Sequence, residues 1–379
     1  MIAYIAYTNP ACYPPLQHSS RMFANTGMKV LFLGTGSGGQ SNSFEFPYHE
    51  NITVKRWNFC KPGWKQKVHY AAFCLWSSFT AWWSGAKWVY ASDTFACPAA
   101  LIAQSVFGIK IVYHEHDSPN TSSIKKSFFE KCQLFFRKIL GRSAEIVVFP
   151  NETRAKLFRE DTERTAPIEI VWNVPSLEEI ELCKNIKPVN PVLFYHGSLN
   201  DKRLPVSVLD SLMLLDSRVE LVFAGYTAGL SYNYGEWYLS EAKKRGLENR
   251  VKYLGPIVDR MCLLMECCKA TIGLAFMPEH SDDVNMRHMT GASNKPFDYL
   301  ACGLNLIVSD LPDWIDFYVK PGFAVSCDPE SEVSITKAVC QIFVERSENG
   351  LINTKARNCL FLEWNYEKQF ENVLKVVVQ

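Results

Sequence analysis

Short β-branched or aromatic runs alternate with helix-length stretches along the whole chain. In the first half, Ile2–Tyr7, Lys29–Leu33, Ile52–Trp57, Trp88–Ala91, Lys110–His114, Ile146–Phe149 and Ile168–Val171 read as strands. Between them lie the helical patterns Ser19–Thr26, Val68–Ser84, Ala96–Phe107, Ser122–Gly141 and Asn151–Phe158. Strands separated by helices of this length need right-handed crossovers and form a parallel sheet. A polar, proline-bearing stretch without periodicity, Leu182–Pro191, reads as a linker. The pattern then restarts, with strands at Val192–Tyr195, Glu220–Phe223, Val251–Leu254, Ala270–Leu274, Asn305–Val308 and Phe323–Val325. Helices are expected at Leu204–Leu215, Glu236–Arg245, Arg260–Cys267, Lys295–Cys302 and Val333–Glu345, and a last one at Tyr366–Val376. The expectation is an α/β chain of two doubly wound, Rossmann-like parallel-sheet domains facing a cleft, 1–187 and 188–379, with the last helix able to pack back on the first.

Composition narrows the function classes. The 379 residues are 47% hydrophobic and 21% charged, ordinary for a globular protein. A formal net charge of +1 and the absence of any long basic run give no electrostatic reason to bind nucleic acid. Thirteen cysteines are scattered without a C-x-x-C pair, which argues against a zinc site or disulfide framework and for a reducing compartment. The start, "MIAYIAYTNP", lacks a basic n-region and reads as a first buried strand, so a cytoplasmic location is expected. Tyr70–Ala91 carries a single charge, Lys87, but Ser84-Gly85-Ala86-Lys87 interrupts it. It reads as a helix ending near Ser84 followed by a strand, not as a membrane span.

Several motifs point nowhere. Gly34-Thr35-Gly36-Ser37-Gly38-Gly39 matches a dinucleotide fingerprint, but "QSNSFEFPYHEN" follows without the helical period such a site requires. No G-x-S-x-G elbow or P-loop is present. Glu115-His116-Asp117 follows a strand, yet no Asp-x-Asp occurs anywhere. Metal-free chemistry is therefore expected, with a divalent cation on Glu115 and Asp117 as the alternative.

One stretch does carry chemistry: "GASNKPFDYLACGLNLIVSD", residues 291–310. Pro296 suits the first turn of a helix, with Ser293 or Asn294 at its cap. Lys295 is a cation beside a helix N-terminus, which is unhelpful unless an anion sits there. Asp298, one turn in, is at the right reach for ribose hydroxyls. A second basic turn, "YHGSLNDKRLP", offers Gly197 for close backbone approach and Lys202 and Arg203 for charge. Together the two turns make a candidate diphosphate pocket; two unrelated surface loops with solvated charges are the simpler alternative.

These residues resemble the retaining GT-B glycosyltransferases of family 4 over most of the chain. Gly197-Ser198-Leu199 with Lys202-Arg203 is similar to that family's glycine loop, and 293–309 is similar to its S-N-K-x-x-E-Y-x-A-x-G branch. "GRSAEIVVFPNETRAKLF" and "IVWNVPS" resemble the segment closing the first domain, and "YHEHDSPN" the His/Asp turn facing the acceptor. The resemblance implies a nucleoside-diphosphate sugar as donor, bound by Gly197, Lys202, Arg203, Thr290, Ser293, Asn294, Lys295 and Asp298. It implies His116, Asp117 and Arg203 as catalytic groups, retention without an enzyme nucleophile, no metal and no cofactor. The acceptor would be a saccharide or lipid-linked saccharide, in cell-surface polysaccharide synthesis. Three departures stand out: Thr290 where many members have a glutamate, Asp298 as a shorter second acid, and Ser198 for an arginine. A GT-B nucleotide-sugar epimerase and a two-lobed solute-binding protein are the competing classes.

Finally, six of the ten tryptophans fall between Trp57 and Trp88, with Lys61, Lys65 and Lys67 interleaved with Trp64. Aromatic rings beside lysines settle at bilayer interfaces, so an anionic membrane surface is a candidate partner, with peripheral association at its inner face.

Overall fold

The computed structural model describes residues 1–119, 127–182, 191–227, 232–349 and 354–379. The chain divides into two compact units: Met1–Asn173 with Tyr366–Gln379, and Val174–Asn365. In the first unit the strands are β1 (Ile2–Ala6), β2 (Val30–Thr35), β3 (Ile52–Trp57), β4 (Trp88–Ser92), β5 (Lys110–His114), β6 (Ile146–Phe149) and β7 (Glu169–Ile170). They form one parallel sheet in the order β3-β2-β1-β4-β5-β6-β7. The second unit carries β8 (Val192–Leu199), β9 (Glu220–Thr227), β10 (Val251–Tyr253), β11 (Ile272–Ala275), β12 (Asn305–Ser309) and β13 (Ala324–Cys327). Its sheet is also parallel, in the order β10-β9-β8-β11-β12-β13. Each sheet therefore reverses its winding once, between β1 and β4 and between β8 and β11, and ligands bind at the carboxyl ends of the strands beside such switch points.

The apolar runs become central strands because helices cover both faces of each sheet, so alternation is unnecessary. Ile5, Leu33 and Val89 in one core and Leu193, Leu274 and Ile307 in the other are fully buried, each worth about 1.5–3 kcal/mol. β8 and β9 outrun their apolar patterns because Gly197 and Gly225 are register partners. A Cβ on Gly225 (φ +153°) would stand 1.9 Å from the Gly197 carbonyl oxygen, so only glycine lets the pairing continue there.

The helix over Lys295–Cys302 is observed as Lys295–Ala301, and that over Val68–Ser84 as Trp64–Trp83. Among the described residues no helix is long and apolar enough to cross a membrane. The expected linker falls largely on 183–190, outside the described residues. The unit boundary lies at Asn173/Val174 rather than 187/188, because the helix Leu177–Leu182 joins the second unit through a Glu179–Arg260 ion pair. Ser176 and Glu179 form a reciprocal cap on that helix, a Ser-x-x-Glu signal present in the sequence. The last helix, Tyr366–Val378, belongs to the first unit; the Tyr366 hydroxyl donates to the Pro15 carbonyl. Cys268 is disulfide-bonded, against the expectation of unpaired cysteines.

Candidate functional site

In the second unit, the helix Lys295–Ala301 is seated by Tyr299. Its ring lies over Gly273 of β11, where a Cβ would come within 2.2 Å, and its hydroxyl accepts the backbone N–H of His196 at 3.1 Å. That seating directs Lys295 back across the end of β8. The ammonium is buried, 5.6 Å from the Tyr195 ring centre, and its carbons pass 3.1 Å from where a Gly197 Cβ would stand. Lys295 has no hydrogen-bond or ion-pair partner among the described residues. Burial, then the nearby Arg203 charge, pushes its pKa down to about 7, against the opposing pull of Asp298. The Arg203 guanidinium is half-buried and meets only the Met286 sulfur, at 3.8 Å, among the described residues. Two cations with no ion-pair partner among the described residues, repelling each other at a strand end, form a ready receptor for an anion.

The other predicted residues divide. Gly197 (φ +115°) makes the close approach expected of it. Lys202 is exposed, and its N–H and that of Arg203 both donate to Asn200 Oδ1 at 3.1 Å. Ser293 is buried, with no partner for its hydroxyl among the described residues. Asn294 caps the helix without a side-chain cap bond; its amide instead donates to Asp298 Oδ2 at 3.0 Å.

Asp298 requires a correction. It is fully buried, accepting from Arg260 at 2.7 and 3.2 Å, with His196 Nε2 3.4 Å away. Arg260 is held in turn by Glu179 at 2.6 and 3.1 Å. A carboxylate with no water must be paired, and Arg260 is the pair. Asp298 is thus an internal counter-charge rather than an open ribose ligand.

Thr290 is placed against an acid the sequence did not single out. Asp313 Oδ2 accepts the Thr290 hydroxyl at 2.9 Å and the N–H groups of Met289 and Thr290 at 3.0 and 2.9 Å. Its other oxygen is buried with no partner among the described residues. The carboxylate missing at position 290 is therefore supplied from the chain after β12. No local signal in "SDLPDW" announces this, since the pairing spans twenty-three residues.

In the first unit, Glu115-His116-Asp117 leaves the end of β5. Glu115 is fully buried, accepting from Arg137 at 2.6 and 2.8 Å and from the Tyr113 hydroxyl. It is spent on that ion pair and has no free face for a metal. His116 is buried, with no hydrogen-bond partner for either ring nitrogen among the described residues, its ring 3.8 Å from that of His114. Burial pushes its pKa down to about 3. It is therefore a neutral imidazole with an open lone pair, able to accept a proton or hydrogen bond from a ligand. Asp117 is exposed. Both residues hang on Asp93, whose Oδ1 accepts the His116 N–H at 2.7 Å and the Asp117 N–H at 3.2 Å. Asp93 itself has φ 62°, a conformation that is costly outside glycine. Burial, followed by Asp117, pushes its carboxyl up to about 8. An acid directly after a strand was the signal available for it. Among the described residues, no three His, Cys, Asp or Glu side chains are placed to hold a metal ion.

No protein-family model and no curated protein matches the chain. Solved structures do. The sucrose-phosphate synthase of Thermosynechococcus elongatus superposes with TM-score 0.71 at 12% identity, covering 100% of this chain and 98% of that one. HepE of Anabaena, in complex with UDP and glucose, gives 0.72 at 15%, covering 100% and 99%. A glycosyltransferase of Rickettsia africae gives 0.71 at 11%, covering 99% and 97%. The chain shares the two-domain, Rossmann-like GT-B fold of these structures.

Proposed function

We propose that the protein is a glycosyltransferase that moves a sugar from a nucleoside-diphosphate sugar to a saccharide or lipid-linked saccharide. The observation that carries this is the pair of cations, Lys295 and Arg203, at the carboxyl end of β8, neither with an ion-pair partner among the described residues. Loss of a nucleoside diphosphate from a sugar loads negative charge onto the leaving group, and preorganised cations in a dry site stabilise that charge. Lys202 and the Ser293 hydroxyl complete the diphosphate side, and the free oxygen of Asp313, beside Thr290, supplies an acceptor for sugar hydroxyls. The HepE structure, which holds UDP and glucose on the same fold, supports a uridine nucleotide as the first donor to try.

With the leaving diphosphate neutralised in this way, no metal is called for, and a leaving-group oxygen can take the acceptor's proton as attack occurs on the same face. That gives retention without an enzyme nucleophile. His116, neutral and without a hydrogen-bond partner among the described residues, would accept a hydrogen bond from the sugar or acceptor, with Asp117 beside it. A role in cell-surface polysaccharide synthesis follows only if the acceptor is lipid-linked.

The test is a melting-temperature screen against UDP, GDP, ADP and their sugars, followed by turnover assays with and without excess EDTA. A ligand at about 100 times its dissociation constant adds about 2.7 kcal/mol, which a melting curve resolves. We expect stabilisation by one nucleoside diphosphate and unchanged turnover under EDTA. No stabilisation by any of them removes the proposal; abolition by EDTA with rescue by Mn²⁺ or Mg²⁺ removes its metal-free form. Turnover of the nucleotide sugar with no acceptor present would favour an epimerase.

A further inference from the structure

Six aromatic rings scattered through the first 129 positions, Tyr7, Phe59, Trp64, Tyr70, Phe95 and Phe129, converge beside the carboxyl ends of β1 and β2. They wall a cavity of about 570 Å³. Tyr7, Tyr70 and Phe129 pack edge to face at 4.9 and 5.6 Å, and Phe95 stacks on Tyr7 at 6.1 Å. The floor includes the glycine run that mimics a dinucleotide fingerprint. A Cβ on Gly36 would fall 2.5 Å from Asn42 Oδ1 and 3.0 Å from the Phe59 nitrogen, and one on Gly38 would fall 3.3 Å from the Phe59 ring. Those glycines let Phe59 close over the strand ends.

The lining has a definite chemistry. Trp64, Phe95 and Phe59 remain 72%, 43% and 42% exposed, a large apolar area to leave in water around a concavity. Among the described lining residues there is no aspartate or glutamate, and the cation is Lys67. Lys67 and Gln66 have no hydrogen-bond or ion-pair partner among the described residues. A bare saccharide needs many polar partners for its hydroxyls, and this wall offers few. An apolar body ending in one anion matches it. Beyond the rim, the helix Trp64–Trp83 turns Val68, Leu75, Phe79 and Trp83 outward, an apolar path leading to the mouth.

We propose that this cavity binds the apolar chain of a lipid monophosphate, with the Lys67 ammonium on the phosphate. That the lipid is the acceptor's anchor rests on the transferase function above; the binding itself does not.

The experiment is calorimetric titration of the full chain with decyl phosphate below its micelle concentration, and with decanol, inorganic phosphate and glucose separately. We expect saturable binding of decyl phosphate about tenfold or more tighter than either decanol or phosphate alone. Lys67→Ala should reduce the decyl phosphate affinity to that of decanol, and Phe59→Ala should weaken both amphiphiles about tenfold. Both residues are at the surface, and unfolding curves matching the wild type certify the variants. Absence of saturable binding overturns the proposal, as does phosphate binding as tightly as decyl phosphate, glucose competing for the site, or no loss in either variant. UDP binding is measured on the same sample. Decyl phosphate binding without UDP binding sinks the transferase function alone, and the reverse sinks the lipid site alone.

Discussion

Two acids, one in each unit, sit in motifs that mark them as ligands, and both are fully buried against an arginine. Glu115 is clasped by Arg137, and Asp298 by Arg260. What remains unpaired around them differs. Among the described residues, the open groups near Glu115 are His114 Nε2, whose Nδ1 pairs with the Tyr90 hydroxyl, and both ring nitrogens of His116. Near Asp298, where His196 is likewise a neutral imidazole, the cations Lys295 and Arg203 are open as well among the described residues. A buried carboxylate takes the best available cation, so the conspicuous acid is spent on the scaffold, and the groups left over set the ligand's charge. The first unit's edge suits neutral or proton-donating partners. The second unit's edge suits an anion.

The comparison breaks first at the arginines. Arg137→Ala and Arg260→Ala each leave a dry carboxylate without its counter-charge, which costs about 3–5 kcal/mol. Urea unfolding monitored in both units should register a loss of that size for each. A loss under 1 kcal/mol at either would mean that water reaches the acid, and would reopen it as a ligand.

The functional half comes next. Lys295→Ala and Arg203→Ala should each weaken nucleoside-diphosphate binding by about 1.5–3 kcal/mol, the worth of a charge-assisted hydrogen bond. His116→Asn should leave that affinity unchanged. Equal losses in all three would erase the distinction between the two edges.

A further contrast lies in pH dependence, where the two groups have opposite signs. Lys295 is lowered from 10.5 to about 7 in the folded chain, so between these values the unfolded state holds the extra proton and stability rises with pH. Asp93 is raised from 3.8 to about 8, so the folded state holds the extra proton and stability falls with pH across that window. Lys295→Met should flatten the upward slope above pH 7, and Asp93→Asn the downward slope below pH 8. Melting temperatures from pH 5 to 9 check both; a variant slope parallel to the wild type removes that group's assignment. Because a bound diphosphate would restore the Lys295 charge, binding at pH 8 should also take up protons.

The strands were legible because buried parallel strands are short, continuous apolar runs, and all thirteen observed strands fall on runs visible in the sequence. The helix Thr354–Leu362 was not, since no apolar period marks it. The turn holding Gly197, Lys202 and Arg203 and the helix start at Lys295 could be read locally, because glycine, proline and unpartnered charge have meaning over a few residues. That much the sequence determined alone: two wound units and a cationic turn. Only the tertiary structure decided that Arg260 neutralises Asp298 and Arg137 neutralises Glu115. It also set Asp313 beside Thr290, made Asp93 the hinge of the His116 turn, and drew six distant rings around one cavity. Each of these is a pairing across tens of residues, and burial, which forces a charge to find a partner or a ring to find a wall, exists only once the chain has closed on itself.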